Sequence, residues 1–171
     1  MRLAEALMER SDLQRRVESL RSRIQATARY QEGEDPAEDA AALLAEAVEA
    51  VEAVDLLAAL VTRINVTNTA APLDDGTPLT AALARRDALR TRHGILTSAA
   101  DAASGRAGGG MAAGYAPRQM RSELRQIAAL PIREVRERAD DAARELRELD
   151  ARIQRANWEV ELVEEAGGQE A

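Results

Sequence analysis

The sequence contains no cysteine. Disulfide frameworks, zinc–thiolate centres and thiol nucleophiles are therefore excluded. It contains no lysine either; every basic residue other than His93 is an arginine, a usage we read as genome base composition. Aromatic residues amount to only 2% of the chain, so the 46% hydrophobic content, much of it alanine, suits a thin, ridge-like core between packed helices rather than a bulky interior. Long apolar runs are also missing. The most apolar window, 56–61, is too short to span a bilayer. Glu5, Glu9 and Arg10 interrupt the N-terminal stretch, leaving no signal-peptide core. A net charge of −7 argues against a nucleic-acid partner, because neutralising phosphates needs a net basic face. These absences lead to the expectation of one soluble, cytoplasmic domain over residues 1–171.

What the sequence does contain is heptad periodicity. Ile132, Val135, Ala139, Ala142, Leu146, Leu149, Ile153, Ala156, Val160 and Val163 alternate spacings of three and four, too regular for a strand or loop. Pro131 in the first turn and Gly167-Gly168 beyond the end bracket a helix over about 131–165. A second seam, Leu3, Ala6, Arg10, Leu13, Val17, Leu20 and Ile24, predicts a helix over about 2–29. Arg10 interrupts it, either as an edge residue with a packed stem and a solvated head or as half of a buried pair with a carboxylate. Leu44, Ala47, Val51, Val54, Ala58 and Val61 predict the seam of a helix over about 36–65. Leu79, Ala82, Arg86, Leu89, His93, Leu96, Ala100 and Ala103 predict one over about 78–104, capped by Thr77 and opened by Pro78. The expected fold is all-α: four long helices in an up-down antiparallel bundle, with an irregular or extended glycine-rich arm over 105–130 before the last.

Function is far less legible. The acidic link at 31–39 reads as Gly33 ending one helix and Asp35 with Pro36 starting the next, or as a cation site; Pro36 breaks the alternating ligand register that calcium loops need. Residues 65–69 and Asp75-Gly76 read as loop and turn. The run Gly108-Gly109-Gly110 follows no strand and precedes no Gly-Lys-Ser/Thr, so it is a poor phosphate loop. His93 and Arg86 lie on an inward stripe, with no second ligand at Glu-x-x-His or His-x-x-x-His spacing. No residue set specifies a reaction; neither enzyme activity nor a cofactor or metal is expected. Trp158 falls opposite the seam of its helix, with Leu162 on the same side. That placement predicts packing against another helix or another protomer, with packing on the chain's own flexible arm or exposure to solvent as the alternatives, and Arg121 and Glu123 of the arm join Trp158 and Leu162 as interface candidates.

Ordered motifs along the chain add a resemblance. Leu3-Ala4-Glu5-Ala6-Leu7, Arg10, Asp12-Leu13-Gln14 and Arg16 open it. Gln31-Glu32-Gly33-Glu34, Pro36-Ala37-Glu38-Asp39, Arg63-Ile64-Asn65, Thr67-Asn68, Leu79-Thr80, Ala82-Leu83-Ala84 and Arg86-Asp87 continue it. Arg121-Ser122-Glu123-Leu124-Arg125, Glu148-Leu149-Asp150, Ile153-Gln154 and Asn157-Trp158 complete it. Together they resemble a small bacterial family labelled septicolysin, also described as a domain of unknown function, with 105–114 as an insertion. The label implies membrane lysis. Alanine-rich seams flanked by arginine and glutamate suit other helices better than hydrocarbon, which favours a homo-oligomer over a membrane-active protein. A carboxylate/His metal-binding bundle is the remaining alternative. The shared polar residues Asn65, Thr67, Asn68, Asp87 and Asn157 read as a network holding turns, with a binding site as the competing reading.

Overall fold

The computed structural model describes residues 1–35, 39–105 and 127–164. The fold is all-α, and the described residues form four helices in the order α1 (Leu3–Thr27), α2 (Ala40–Ala70), α3 (Leu79–Ala103) and α4 (Ile132–Glu159). The chain forms two compact units, Met1–Thr80 with Ile153–Ala171 and Ala81–Arg152.

In the first unit, α1 and α2 form an antiparallel hairpin. The ion pairs set its direction and register: Arg16 Nε donates to Glu49 Oε1 at 2.9 Å, and Arg23 Nη1 lies 2.8 Å from Glu46 Oε1. The α1 seam follows the predicted heptads, buried at Leu3 and Ala6 and half-buried from Arg10 through Ile24. The α2 seam does not. Its inward residues are Leu43, Glu46, Ala50, Ala53, Leu57, Leu60, Ile64 and Thr67, a heptad set one residue earlier than predicted. Alanine and valine surround α2 on most sides, so both registers satisfy periodicity. The pairing of Glu46 and Glu49 with α1 and the full burial of Ile64 and Thr67 select the earlier one.

The helix limits also differ from expectation. The Asp39 carboxylate, not Asp35, caps α2 by accepting the Ala41 amide at 3.2 Å. Helix α2 runs through 65–69, read above as loop, because Thr67 and Thr69 return their hydroxyls to the carbonyls four residues back and so stay compatible with the helix. Gly33 does not cap α1, which closes at Ala28 with its amide on the Ile24 carbonyl. Instead Gly33 adopts φ +96° in the following turn, where Glu34 N–H bonds the Gln31 carbonyl. The Asp75-Gly76 turn is present, with Gly76 at φ +82°. It closes a short antiparallel bridge, in which the Leu73 amide donates to Thr77 and the Leu79 amide to Ala71.

Helix α4 stops at Glu159 rather than near 165. From there the chain is extended and pairs with the N-terminus: Leu3 N–H donates to the Val160 carbonyl and Leu162 N–H to the Met1 carbonyl, both at 2.9 Å. This clasp closes a small core of Leu3, Ile64, Leu73, Leu79, Ile153 and Leu162.

In the second unit α3 and α4 are also antiparallel. Arg85 reaches Glu145 at 3.8 Å, Arg90 reaches Asp150 at 3.9 Å, and Arg136 Nη2 donates to Ser104 Oγ at 3.1 Å. Ala82, Leu89, Ala100, Ala139, Ala142 and Leu149 are buried between them, as the heptads predict. Small side chains let two helices approach closely, which explains burial without aromatics.

Candidate interaction surface

Two places in the first unit concentrate polar or apolar side chains beyond the needs of a helix pair. The first is the clasp. Thr67 is 1% exposed; its hydroxyl donates to the Arg63 carbonyl at 2.8 Å and accepts the Val163 amide at 3.0 Å. Arg63 Nε donates to the Val163 carbonyl at 3.1 Å, and Arg2 Nη1 to the Glu159 carbonyl at 2.7 Å. Here two arginines cap backbone carbonyls past a helix end, a structural use of charge. Asn157 of α4 is buried, Asn68 is half-buried, and Asn65 is exposed with its carbonyl taken by Thr69. Asp87 belongs to the other unit, where Arg86 and Arg90 hold it from α3. The clasp therefore uses Thr67, while Asp87 serves a separate ion-pair cluster with Asp150.

The second place is the outer half of the α1/α2 hairpin. Leu13, Val17, Leu20 and Ile24 of α1 are only half-buried, as are Leu43, Ala47 and Ala50 of α2. Two helices alone cannot enclose their shared seam, since a helix stripe is wider than one neighbour covers. On α2 a second apolar stripe lies beside it: Leu44, Val48, Val51 and Val54 are 67%, 52%, 64% and 46% exposed. Leu44, Val51 and Val54 are seam residues of the predicted register, which the fold leaves facing water. No helix among the described residues is long and apolar enough to cross a membrane. Helix α2 is thus apolar on two stripes, and its hairpin partner covers one of them.

The polar groups around this face are distinctive. Arg10 is half-buried and its Nε has no hydrogen-bond partner. Neither Arg10 nor Asp55 takes part in an ion pair among the described residues. One Glu46 carboxylate oxygen, Oε2, is likewise buried and unbonded.

The remaining sequence candidates are dispersed. Trp158 is 56% exposed near the end of α4. Leu162 does not share its surface: it is 5% exposed, turned inward because the chain is extended and paired with Met1 rather than helical at that point. Arg121 and Glu123 lie outside the described residues, as do Pro36 and Gly108-Gly109-Gly110. His93 is half-buried with Nε2 3.4 Å from Thr97 Oγ1, and Arg86 bonds Asp87 at 3.2 Å. Among the described residues no three His, Asp or Glu side chains converge as a metal site would require.

A model of a family of unknown function, DUF6847, matches residues 10–162. The chain belongs to this family. Its DUF6847 span begins at Arg10 and ends at Leu162, so it takes in α2, α3, α4 and most of α1, but not Met1, Leu3 and Val163 of the clasp. The family description carries no activity, where the motif resemblance pointed to the septicolysin label. Across 95% of its length the chain is similar, at 37% identity and a TM-score of 0.81, to a functionally unknown conserved protein from Corynebacterium diphtheriae with a known crystal structure, 99% of whose chain is covered. No curated protein matches.

Proposed function

We propose that this DUF6847 protein is a non-enzymatic helical protein that acts through homo-oligomeric assembly. One observation carries the reading: α2 presents a second apolar stripe, Leu44 to Val54, that its own hairpin partner does not cover. An exposed contiguous apolar face on a helix marks a surface used for association. The polar residues that could do chemistry favour the same reading, because they are spent on structure. Thr67, Arg63 and Arg2 hold the clasp, and Arg86, Asp87, Arg90 and Asp150 hold one another. Trp158, half-exposed, is a second apolar element suited to a protein contact.

Light scattering coupled to gel filtration tests the proposal on the full chain. The expected result is a mass of two or more protomers at micromolar concentration. A single-protomer mass across that range overturns self-assembly. A parallel dye-release measurement on neutral and anionic vesicles is expected to show no leakage; leakage would instead support the lytic role implied by the septicolysin resemblance.

A further inference from the structure

The open face of the α1/α2 hairpin has a definite length, a definite charge pattern and an arginine, Arg10, whose Nε is buried without a partner, and these bear on what covers it. Helix geometry puts Arg16 and Arg23 on one edge of the α1 seam, where Glu49 and Glu46 meet them. That edge is closed. On the opposite edge α1 offers Arg10 and Val17, while α2 offers Val51 and Val54. The register set by Arg16–Glu49 runs back along antiparallel helices, so Arg10 stands level with Asp55. Yet Arg10 Nε is buried without a partner, and Asp55 borders the exposed stripe on the far side of α2. Within one hairpin the two charges are level but do not meet.

We propose that a second copy of this chain lies on that face, its α1/α2 hairpin related to the first by a two-fold axis parallel to the helices. This operation keeps every residue at its own level and lays α1 of each copy over α2 of the other. Val17 of one copy then packs on the Val51–Val54 stripe of the other. Arg10 of each copy comes level with Asp55 of its partner and supplies the charge that each lacks. The result is a four-helix arrangement in which basic α1 and acidic α2 alternate, so like-charged helices meet only diagonally. The opposite choice, α2 laid on α2, would bring Glu52 and Asp55 against their own copies, and like charges in contact oppose association. Area agrees: a face about 22 Å long and about 20 Å across buries on the order of 1,000 Å² in total, the lower end for a specific interface.

The inference rests on the self-assembly reading above but commits to one surface, and its test separates the two. Val51→Arg sits at an exposed position, so its far-UV circular dichroism should match the parent. Its mass by light scattering is expected to fall to one protomer. Arg10→Glu and Asp55→Arg should each raise the dissociation constant about tenfold or more, and the double exchange should recover most of that loss, as paired charges do. Arg10→Gln serves if the glutamate variant loses helicity. A Val51→Arg protein that stays oligomeric overturns this surface while leaving self-assembly intact. A parent protein that is monomeric throughout overturns both. A double exchange no better than either single change overturns the Arg10–Asp55 pairing and with it the two-fold arrangement.

Discussion

Thr67 shows how much a single side chain can hold in a chain this poor in aromatics. Its hydroxyl is both donor and acceptor, and the amide it receives belongs to Val163, 96 residues away. Thr67→Val preserves shape but leaves the Val163 N–H without its acceptor. That change should cost about 1–2 kcal/mol and lower the melting temperature by several degrees, as urea and thermal unfolding would measure. Thr69→Val, whose hydroxyl only returns to the Asn65 carbonyl on an exposed face, should stay within about 0.5 kcal/mol of the parent. Gly76 is the other residue with a single-atom reason: at φ +82° any Cβ is strained, and Gly76→Ala should cost about 1 kcal/mol although the space around it is open. Thr67 was visible in the sequence as one of a polar cluster near a turn. Its partner was not, because a hydrogen bond between positions 67 and 163 leaves no periodic trace. Leu162 failed for the same reason. Its spacing placed it on the outer face with Trp158, whereas pairing with Met1 ends the helix early and turns it inward.

At the scale of elements, α2 and the end of α4 depart most from expectation. Periodicity finds a helix where α2 lies but cannot choose between two registers when apolar residues occupy nearly every side. Tertiary contacts chose the register that let Glu46 and Glu49 pair with α1, and so exposed the other. The start of α2 moved to Asp39, whose carboxylate holds the Ala41 amide. Asp39→Ala should destabilise the protein by about 1 kcal/mol, and hydrogen exchange should show faster opening of the first turn of α2. The clasp is the stronger element. A chain ending at Glu159 loses the Val160 and Leu162 bonds to the N-terminus, the Arg63 and Thr67 bonds to Val163, and the burial of Leu162. Summing about 1 kcal/mol per hydrogen bond and about 2 kcal/mol for the leucine predicts a loss of several kcal/mol. The amides at the start of α1 should then exchange at rates close to those of an unfolded segment. By contrast, the α3 seam and the α4 seam as far as Ala156 were read correctly from spacing, since each is apolar on one stripe and charged elsewhere; Val160 and Val163, also expected on the α4 seam, lie past the helix end, and Val163 is exposed.

For the whole molecule, the proposed assembly would couple stability to concentration. If two hairpins cover each other, unfolding releases two chains, and the melting temperature must rise with protein concentration. The parent should show that rise between about 1 and 100 µM, and Val51→Arg should abolish it. High salt should matter little to the fold of each protomer, because the α1/α2 and α3/α4 ion pairs are mostly exposed and each contributes tenths of a kcal/mol.

Composition and spacing alone were enough for the all-α class, the order of the four helices among the described residues, the α1 and α3 seams, the α4 seam as far as Ala156 and the Asp75-Gly76 turn. All of these are local: they depend on residues within a few turns of one another, where helix geometry converts spacing into direction. The α2 register, the clasp between Met1 and Leu162 and the buried, unpartnered Nε of Arg10 required the fold. Each is a choice between local solutions of nearly equal energy, settled by contacts with residues far away in the chain. The apolar residues of the exposed α2 stripe were present in the heptads from the start, but only packing revealed which of the two stripes of α2 was left over.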